Sequence, residues 1–143
     1  MYHYRKTRNV YARHNKNDVA ETCPFPSCNS HNVSQEYLFE NDTMYIIANR
    51  VSYDLFEGRE VLDHLMVIPK RHLETFDDFT DQEKLDFMAI AGEYEKQGYY
   101  IYARGVGSAT RSVKHQHTHL LKMTNKKGKF LLYTSKPYFV MKV

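Results

Sequence analysis

Residues 114–122 read K-H-Q-H-T-H-L-L-K, so His115, His117 and His119 recur at every second position. In a β-strand alternate side chains leave the same face, so one strand would carry three imidazoles in a row, with neighbouring Cα atoms roughly 6.5–7 Å apart. The chain has 8 histidines in 143 residues, and chance clustering is a poor account of three within five positions. Three readings follow from the spacing. One imidazole can attack phosphorus while its neighbours orient it or handle protons. Alternating histidines can instead converge on a metal ion. Or the three are ordinary surface or core residues. Crowded imidazoles disfavour one another's protonated forms, which keeps a nitrogen lone pair available near neutral pH.

Upstream, residues 63–72 read D-H-L-M-V-I-P-K-R-H. The apolar run from Leu65 to Ile68 has the length of a buried strand. Pro69 ends it, because proline donates nothing to a ladder. His64 stands at its start and His72 just past its end. Further upstream, Cys23 and Cys28 lie in C-P-F-P-S-C.

Together these motifs resemble the histidine triad (HIT) superfamily of nucleotide hydrolases and transferases. Its pattern is His-φ-His-φ-His-φ-φ, with φ apolar, preceded by a small-residue loop ending in Gly-Gln-Ser-Val. Further back it has a His-x-Leu-Val-Ile-Pro-Lys-x-His strand. Here the loop reads G-S-A-T-R-S-V-K-H from Gly107 to His115 and the strand reads H-L-M-V-I-P-K-R-H. The similarity spans about residues 23–122, and the specificity lies in both motifs with their order and separation.

The resemblance implies roles position by position. His117 falls on the nucleophile, which forms a nucleotidyl-histidine that water or another acceptor resolves. His119 falls on the residue that binds and polarises the scissile phosphate, and His64 on a histidine that supports the triad. Ser112 matches a serine that contacts the phosphate or leaving group. Backbone N–H groups of residues 105–112 would cradle oxyanions. Ile46, Ile47 and Asn49 fall where the nucleobase is lined, although ordinary core is an equal reading for the two isoleucines. No catalytic metal is implied. Zinc-containing branches hold a structural Zn²⁺ with two cysteines, the histidine after Val-Ile-Pro and the first triad histidine, here Cys23, Cys28, His72 and His115. Such a closed Cys₂His₂ set is structural. This chain spaces its cysteines C-x4-C where the family has C-x-x-C, and His31 is a spare ligand candidate.

Other positions depart from the pattern. Arg111 replaces the Gln before Ser-Val, Arg104 replaces an Asn, and Gln116 and Thr118 stand where apolar residues are usual. An arginine fork binds phosphate bidentately, which an amide cannot do. Arg104 and Arg111 are thus substrate-binding candidates that would favour a highly charged substrate, with a solvent-facing position as the alternative. Gln116 and Thr118 point to a second strand face less dry than usual.

A 42% apolar content with 14% aromatics supports one core, and the length fits one domain. Two cysteines make no disulfide framework and fit a reduced, cytoplasmic setting. The charged start M-Y-H-Y-R-K-T-R is no signal peptide, and no apolar run approaches the roughly 20 residues of a membrane span. Arg5, Lys6, Arg8, Arg13 and Lys16 precede the first acid, and the lysines after Lys114 meet no acid at all, with tyrosines interleaved. Such composition can bind single-stranded nucleic acid, although a net charge of +3 fits solvated termini beside an anionic substrate better.

The expected organisation is a basic extension over residues 1–22 and a single HIT-like domain over 23–143. The class is α+β: an antiparallel sheet with one long helix and short additional helices. A hairpin is expected at 37–39 and 44–48, a loop over 50–60, a helix from the capping box at Thr80 to about Gln97, and strands at 99–103 and 114–123. Residues 125–129 read as a turn, followed by two short terminal strands. The helix's apolar stripe would be Leu85, Met88, Ala89 and Gly92, broadened by Phe87, Ala91 and Tyr94. By resemblance the chain is a homodimer. The function expected is a nucleotide hydrolase or nucleotidyl transferase acting on nucleoside phosphoramidates or dinucleoside polyphosphates. The alternatives are a hydrolase resolving adenylated nucleic-acid ends and a non-catalytic nucleotide- or zinc-binding module.

Overall fold

A computed structural model describes residues 23–28, 35–128, 131–133 and 139–141. The basic extension over residues 1–22 and the spare ligand His31 lie outside the described residues. An antiparallel six-stranded sheet and one helix, an α+β arrangement, make up the body of the molecule. The strands are β1 (Phe39–Glu40), β2 (Met44–Ala48), β3 (Leu55–Phe56), β4 (Arg59–Pro69), β5 (Tyr100–Ala103) and β6 (Thr118–Lys127). Their spatial order is β1-β2-β4-β6-β5, with β3 paired to β4. A separate hairpin joins β7 (Leu131–Tyr133) and β8 (Phe139–Met141). Among the described residues no helix is long and apolar enough to cross a membrane.

Local chemistry sets these elements. The β1–β2 turn closes on the Asn41 side chain, whose Oδ1 accepts from Thr43 N and Met44 N at 3.0 and 2.7 Å. Residues 50–60, expected as a loop, contain a tight hairpin instead. Glu57 and Gly58 both have positive φ, the two-residue turn whose twist suits paired strands. Helix α1 (Asp81–Lys96) starts at the capping box. Thr80 Oγ1 accepts from Glu83 N, and Thr80 N donates to Glu83 Oε2 at 2.7 Å. It ends before Gly98, which takes φ 84°.

The helix is rotated from the expected phase. Leu85 and Met88 are 67% and 65% exposed, while Glu83, Ile90 and Ala91 are buried and Phe87 and Tyr94 pack on the core. The buried stripe is Phe87, Ile90, Ala91 and Tyr94, and Glu83, one turn before Phe87, is buried with both carboxylate oxygens held by Arg71 at 3.1 and 2.8 Å. The core on this side comprises Met44, Ile46, Leu65, Val67, Leu73, Phe79, Ile90 and Leu120. The pleat sends the alternate residues Tyr45, Ile47, Met66 and Ile68 to the opposite face, where Phe25 covers them.

β6 also differs from its expected span. It begins at Thr118 and runs to Lys127, so residues 125–127 extend the strand and His115 and His117 precede it. The main chain at 114–117 leaves the ladder because Gln116 N donates to Leu73 O at 2.7 Å, outside the sheet. Gln116 and Thr118 are buried, so the segment is drier than their polarity suggested.

Candidate active site and metal centre

His119 sits on β6 opposite Met66 of β4 and Tyr102 of β5, and therefore on the sheet face away from the helix. His64 lies on the same face of β4. His64, His115, His117 and His119 are all buried. The three triad histidines do not form one uniform row, because only His119 belongs to the strand. Their nitrogens have different partners, and those partners fix where each proton sits.

For His117, Nδ1 lies 2.8 Å from the carbonyl oxygen of His115. A carbonyl can only accept, so Nδ1 carries the proton and Nε2 presents a lone pair. Burial holds the His117 pKa below the ordinary imidazole value. The His115 carbonyl opposes that shift and the charges of Arg111 and Arg104 add to it. The ring is thus neutral near pH 7, the form a nucleophile requires.

A second chain of bonds fixes His119. The backbone N–H of Tyr53 donates to His64 Nδ1 at 3.1 Å, so His64 carries its proton on Nε2. That nitrogen lies 2.9 Å from His119 Nδ1, which therefore accepts. The remaining His119 nitrogen, Nε2, bears a proton, is buried and has no hydrogen-bond partner. A buried donor without an acceptor costs about 1–3 kcal/mol, and an incoming anion's oxygen would satisfy it. Burial is also the first cause that pushes the His119 pKa down, to about 2, followed by the charges of His117, His64 and Arg104. The amide of Asn49 lies against His64, with Val51 N donating to its oxygen at 3.2 Å. Its Nδ2, 2.9 Å from the protonated Nε2, is a donor facing a donor and makes no hydrogen bond with it in this tautomer.

His115 faces the other way. Its Nε2 lies 3.0 Å from Pro69 O and so carries the proton, leaving the Nδ1 lone pair toward Cys23 Sγ at 3.3 Å and Cys28 Sγ at 3.2 Å. His72 Nδ1 lies 3.2 Å from Cys28 Sγ. The four ligand atoms lie within 4.8 Å of one another, so Cys23, Cys28, His72 and His115 are close enough to bind a metal ion. A tetrahedral ion about 2.3 Å from sulfur and about 2.0–2.1 Å from nitrogen would set S···N separations near 3.6 Å, so the donors need open only slightly. Burial pushes the Cys23 thiol up to about 12, a cost that a bound cation would oppose, and the His115 imidazole down to about 4, which keeps it in the neutral form that ligates a metal. Of the three triad histidines, only His115 joins this cluster.

The remaining sequence candidates separate. Ile47 lies on the histidine face, but Ile46 belongs to the helix-side core, since neighbours on a strand point oppositely. The Arg111 guanidinium faces the main-chain carbonyls of Glu74, Arg104, Val113 and Lys114 and the Gln116 side chain. It ties the loop before the histidines to the loop after β4. Arg104 donates to Thr110 O and, at 2.6 Å, to Tyr53 Oη. Ser112 is exposed, and its hydroxyl bonds none of the described residues. Within the small-residue loop, the N–H groups of Ser108, Thr110 and Arg111 serve the loop's own turns.

Two contributors had no sequence signal. Tyr53 sets the His64 tautomer through its main chain, and its ring lies 4.3 Å from that of His64. Phe25, between the two cysteines, packs edge-on against His115 and His117 at 5.4 and 5.5 Å.

A family model, the HIT domain, matches residues 60–126. Among solved structures, a HIT family hydrolase from Clostridium thermocellum is 19% identical with a TM-score of 0.56, over 78% of this chain and 98% of that one. A hypothetical histidine triad nucleotide-binding protein from Sulfolobus tokodaii is 18% identical, TM-score 0.56, covering 73% and 71% respectively. A histidine triad nucleotide-binding protein from Candida albicans is 18% identical, TM-score 0.55, covering 80% and 85%. At these identities the likeness is one of fold. No curated protein matches the sequence.

Proposed function

We propose that this chain, whose residues 60–126 match the HIT domain model and whose fold is that of histidine triad proteins, is a member of the histidine triad superfamily and a nucleotide hydrolase or nucleotidyl transferase acting at an α-phosphate through a nucleotidyl-histidine. One observation carries this reading: His117 keeps a lone pair on Nε2 while neighbouring His119 keeps an unsatisfied N–H on its own Nε2. A lone pair beside a donor suits attack on phosphorus with concurrent binding of a phosphoryl oxygen.

His117 Nε2 forms an N–P bond as the bond from phosphorus to the leaving group breaks. The leaving group departs with that electron pair and takes up a proton from solvent. Water, or another acceptor, then forms a P–O bond and gives up its proton to solvent as the P–N bond breaks and its electron pair returns to Nε2, regenerating the neutral imidazole. His119 Nε2–H holds a non-bridging oxygen throughout, and His64 keeps that proton in place. Arg104 contributes positive charge, and Ser112 contacts the phosphate or leaving group once substrate is present. Ile47 and Asn49 border the nucleoside. Arg111 acts on the site by fixing the loop that precedes the nucleophile. Phosphoramidates and dinucleoside polyphosphates are the substrate classes that fit this step.

Cys23, Cys28, His72 and His115 would hold a structural Zn²⁺, and a reduced, cytoplasmic setting keeps both thiols available as ligands. Residues 23–143 act as one domain. A homodimer is supported by the exposed Leu85 and Met88 of α1 and by the edge strand β5, which among the described residues pairs with β6 alone and whose Tyr100 and Ile101 are 46% and 41% exposed.

The test is rapid quench of the enzyme with a nucleoside phosphoramidate, followed by intact-mass and peptide analysis. A mass increase of one nucleotidyl group on the peptide carrying His117 is expected. Turnover without that adduct, or an adduct on another residue, would overturn the reading.

A further inference from the structure

The segment that carries the nucleophile is outside the sheet. β6 begins at Thr118, so residues 115–117 lack the ladder bonds that fix His119. Their main chain is held from three other directions. Gln116 N donates to Leu73 O, Arg111 grips the carbonyls of Val113 and Lys114, and the His115 ring donates to Pro69 O. The other edge of the His115 ring faces the two cysteines, and its carbonyl oxygen is the acceptor for His117 Nδ1–H. One residue thus offers its side chain to the cluster and its backbone to the nucleophile. Phe25 gives a second connection, because it lies between Cys23 and Cys28 in sequence and touches both rings.

We propose that the cysteine–histidine cluster positions the nucleophile: metal held by Cys23, Cys28, His72 and His115 pins the His115 main chain, and the pinned carbonyl keeps His117 in the tautomer that can attack. This rests on the zinc and nucleotidyl-transfer readings above and extends both. With the cluster empty, the His115 carbonyl can turn away and the His117 proton is no longer confined to Nδ1. Each molecule with its proton on Nε2 has no lone pair aimed at phosphorus. Cys23, Cys28 and His72 are then positioning residues, because none of them needs to touch substrate.

The experiment compares four samples of the full chain: Zn²⁺-loaded, chelator-stripped, His72→Ala and His72→Cys. Metal is measured by elemental analysis, the His117 tautomer by ¹⁵N side-chain NMR, the fold by far-UV circular dichroism, and kcat and KM with a nucleoside phosphoramidate. The loaded protein is expected to hold one equivalent of zinc and a single Nδ1–H tautomer at His117. The stripped and His72→Ala proteins should show the Nε2–H tautomer and a kcat about 10–100-fold lower, with KM little changed. His72→Cys keeps a zinc-binding donor set and should restore both. His72 is exposed, and among the described residues its hydrogen-bond and ring partners are Cys28 and His115, so its variants decide the matter if stripping Cys23 and Cys28 unfolds the chain. Zinc binding with tautomer and kcat unchanged after its removal would overturn this proposal and leave the other two readings intact. No zinc in the purified protein would overturn it together with the metal reading. A tautomer that follows the metal in a protein with no turnover would support the positioning and sink only the enzymatic reading.

Discussion

The two faces of the sheet are made by the same strands and differ in almost everything else. On β4, Leu65 and Val67 face the helix and join Met44, Ile46 and Leu120 in an apolar layer. His64 and Met66 alternate with them and face the other way, toward His119 and Tyr53. Both faces are buried, yet on the helix side any well-packed apolar residue serves, while the histidine side buries imidazoles that each need a stated partner. Apolar packing lies on both faces, since Tyr45, Ile47, Met66 and Ile68 are buried under Phe25 on the histidine side, but the buried imidazoles and the cost of desolvating their nitrogens gather on that side.

The strongest way to break this division is to remove His117, the proposed nucleophile. His117→Ala takes away a ring that holds no helix-side contact, so the fold should persist while turnover falls by about 10⁴-fold. Circular dichroism and steady-state hydrolysis of a phosphoramidate check both halves. Activity within about tenfold of the native enzyme would move the chemistry to another residue.

The helix side was legible because its signals are local. The Thr80–Glu83 capping box, the stop at Gly98, the Asn41 turn and the apolar run of β4 all stand where short-range chemistry puts them. The helix offers two apolar stripes by sequence, and packing selects Phe87, Ile90, Ala91 and Tyr94 over Leu85 and Met88, with Glu83 buried beside them on Arg71. On the histidine side, the period of two singled out three histidines that the fold buries, but it implied one uniform row along a strand. Gln116 N pairs with Leu73 O, and that tertiary bond takes His115 and His117 out of the strand. The division of labour among the three histidines was equally invisible, because it is set by Pro69 O, His115 O and Tyr53 N, main-chain atoms that side-chain identity does not encode. The arginines show the same limit. Arg111 was read as a phosphate fork, but four main-chain carbonyls surround it.

Ile46 sharpens the comparison from the other direction. By resemblance it was grouped with Ile47 as a nucleobase neighbour, yet the pleat places it among Met44, Leu65 and Val67. Ile46→Ala should therefore cost about 2–5 kcal/mol of stability, as large-to-small core changes do, with KM unchanged. Urea denaturation and substrate titration read the two quantities separately. A variant with native stability and a raised KM would place this side chain at the substrate and erase the distinction between the faces.

Acid provides the gentlest test, since it acts on the histidine face before it reaches the carboxylates. The His119 pKa falls from an ordinary 6.5 in the unfolded chain to about 2 in the folded one, first through burial. Below pH 6.5 the unfolded state therefore binds a proton that the folded state refuses. Stability is fully present above pH 6.5 and declines as pH falls, by at most about 1.4 kcal/mol per pH unit for this one group, until the folded pKa is reached. His115, pushed down to about 4, and His117 are shifted in the same direction, again by burial, and add to the slope. Glu83 and Asp78 have pKa values below the ordinary carboxylate range, so their contribution is retained in this interval and is lost only in stronger acid. Thermal melts between pH 6.5 and pH 5 should show a falling midpoint, and His119→Gln should flatten the decline because its amide does not titrate. A midpoint constant across that interval would mean that the folded protein accepts the proton on His119 without penalty. The histidine face would then be no drier than the surface, and the tautomer chain from Tyr53 through His64 would not be what sets the His119 proton.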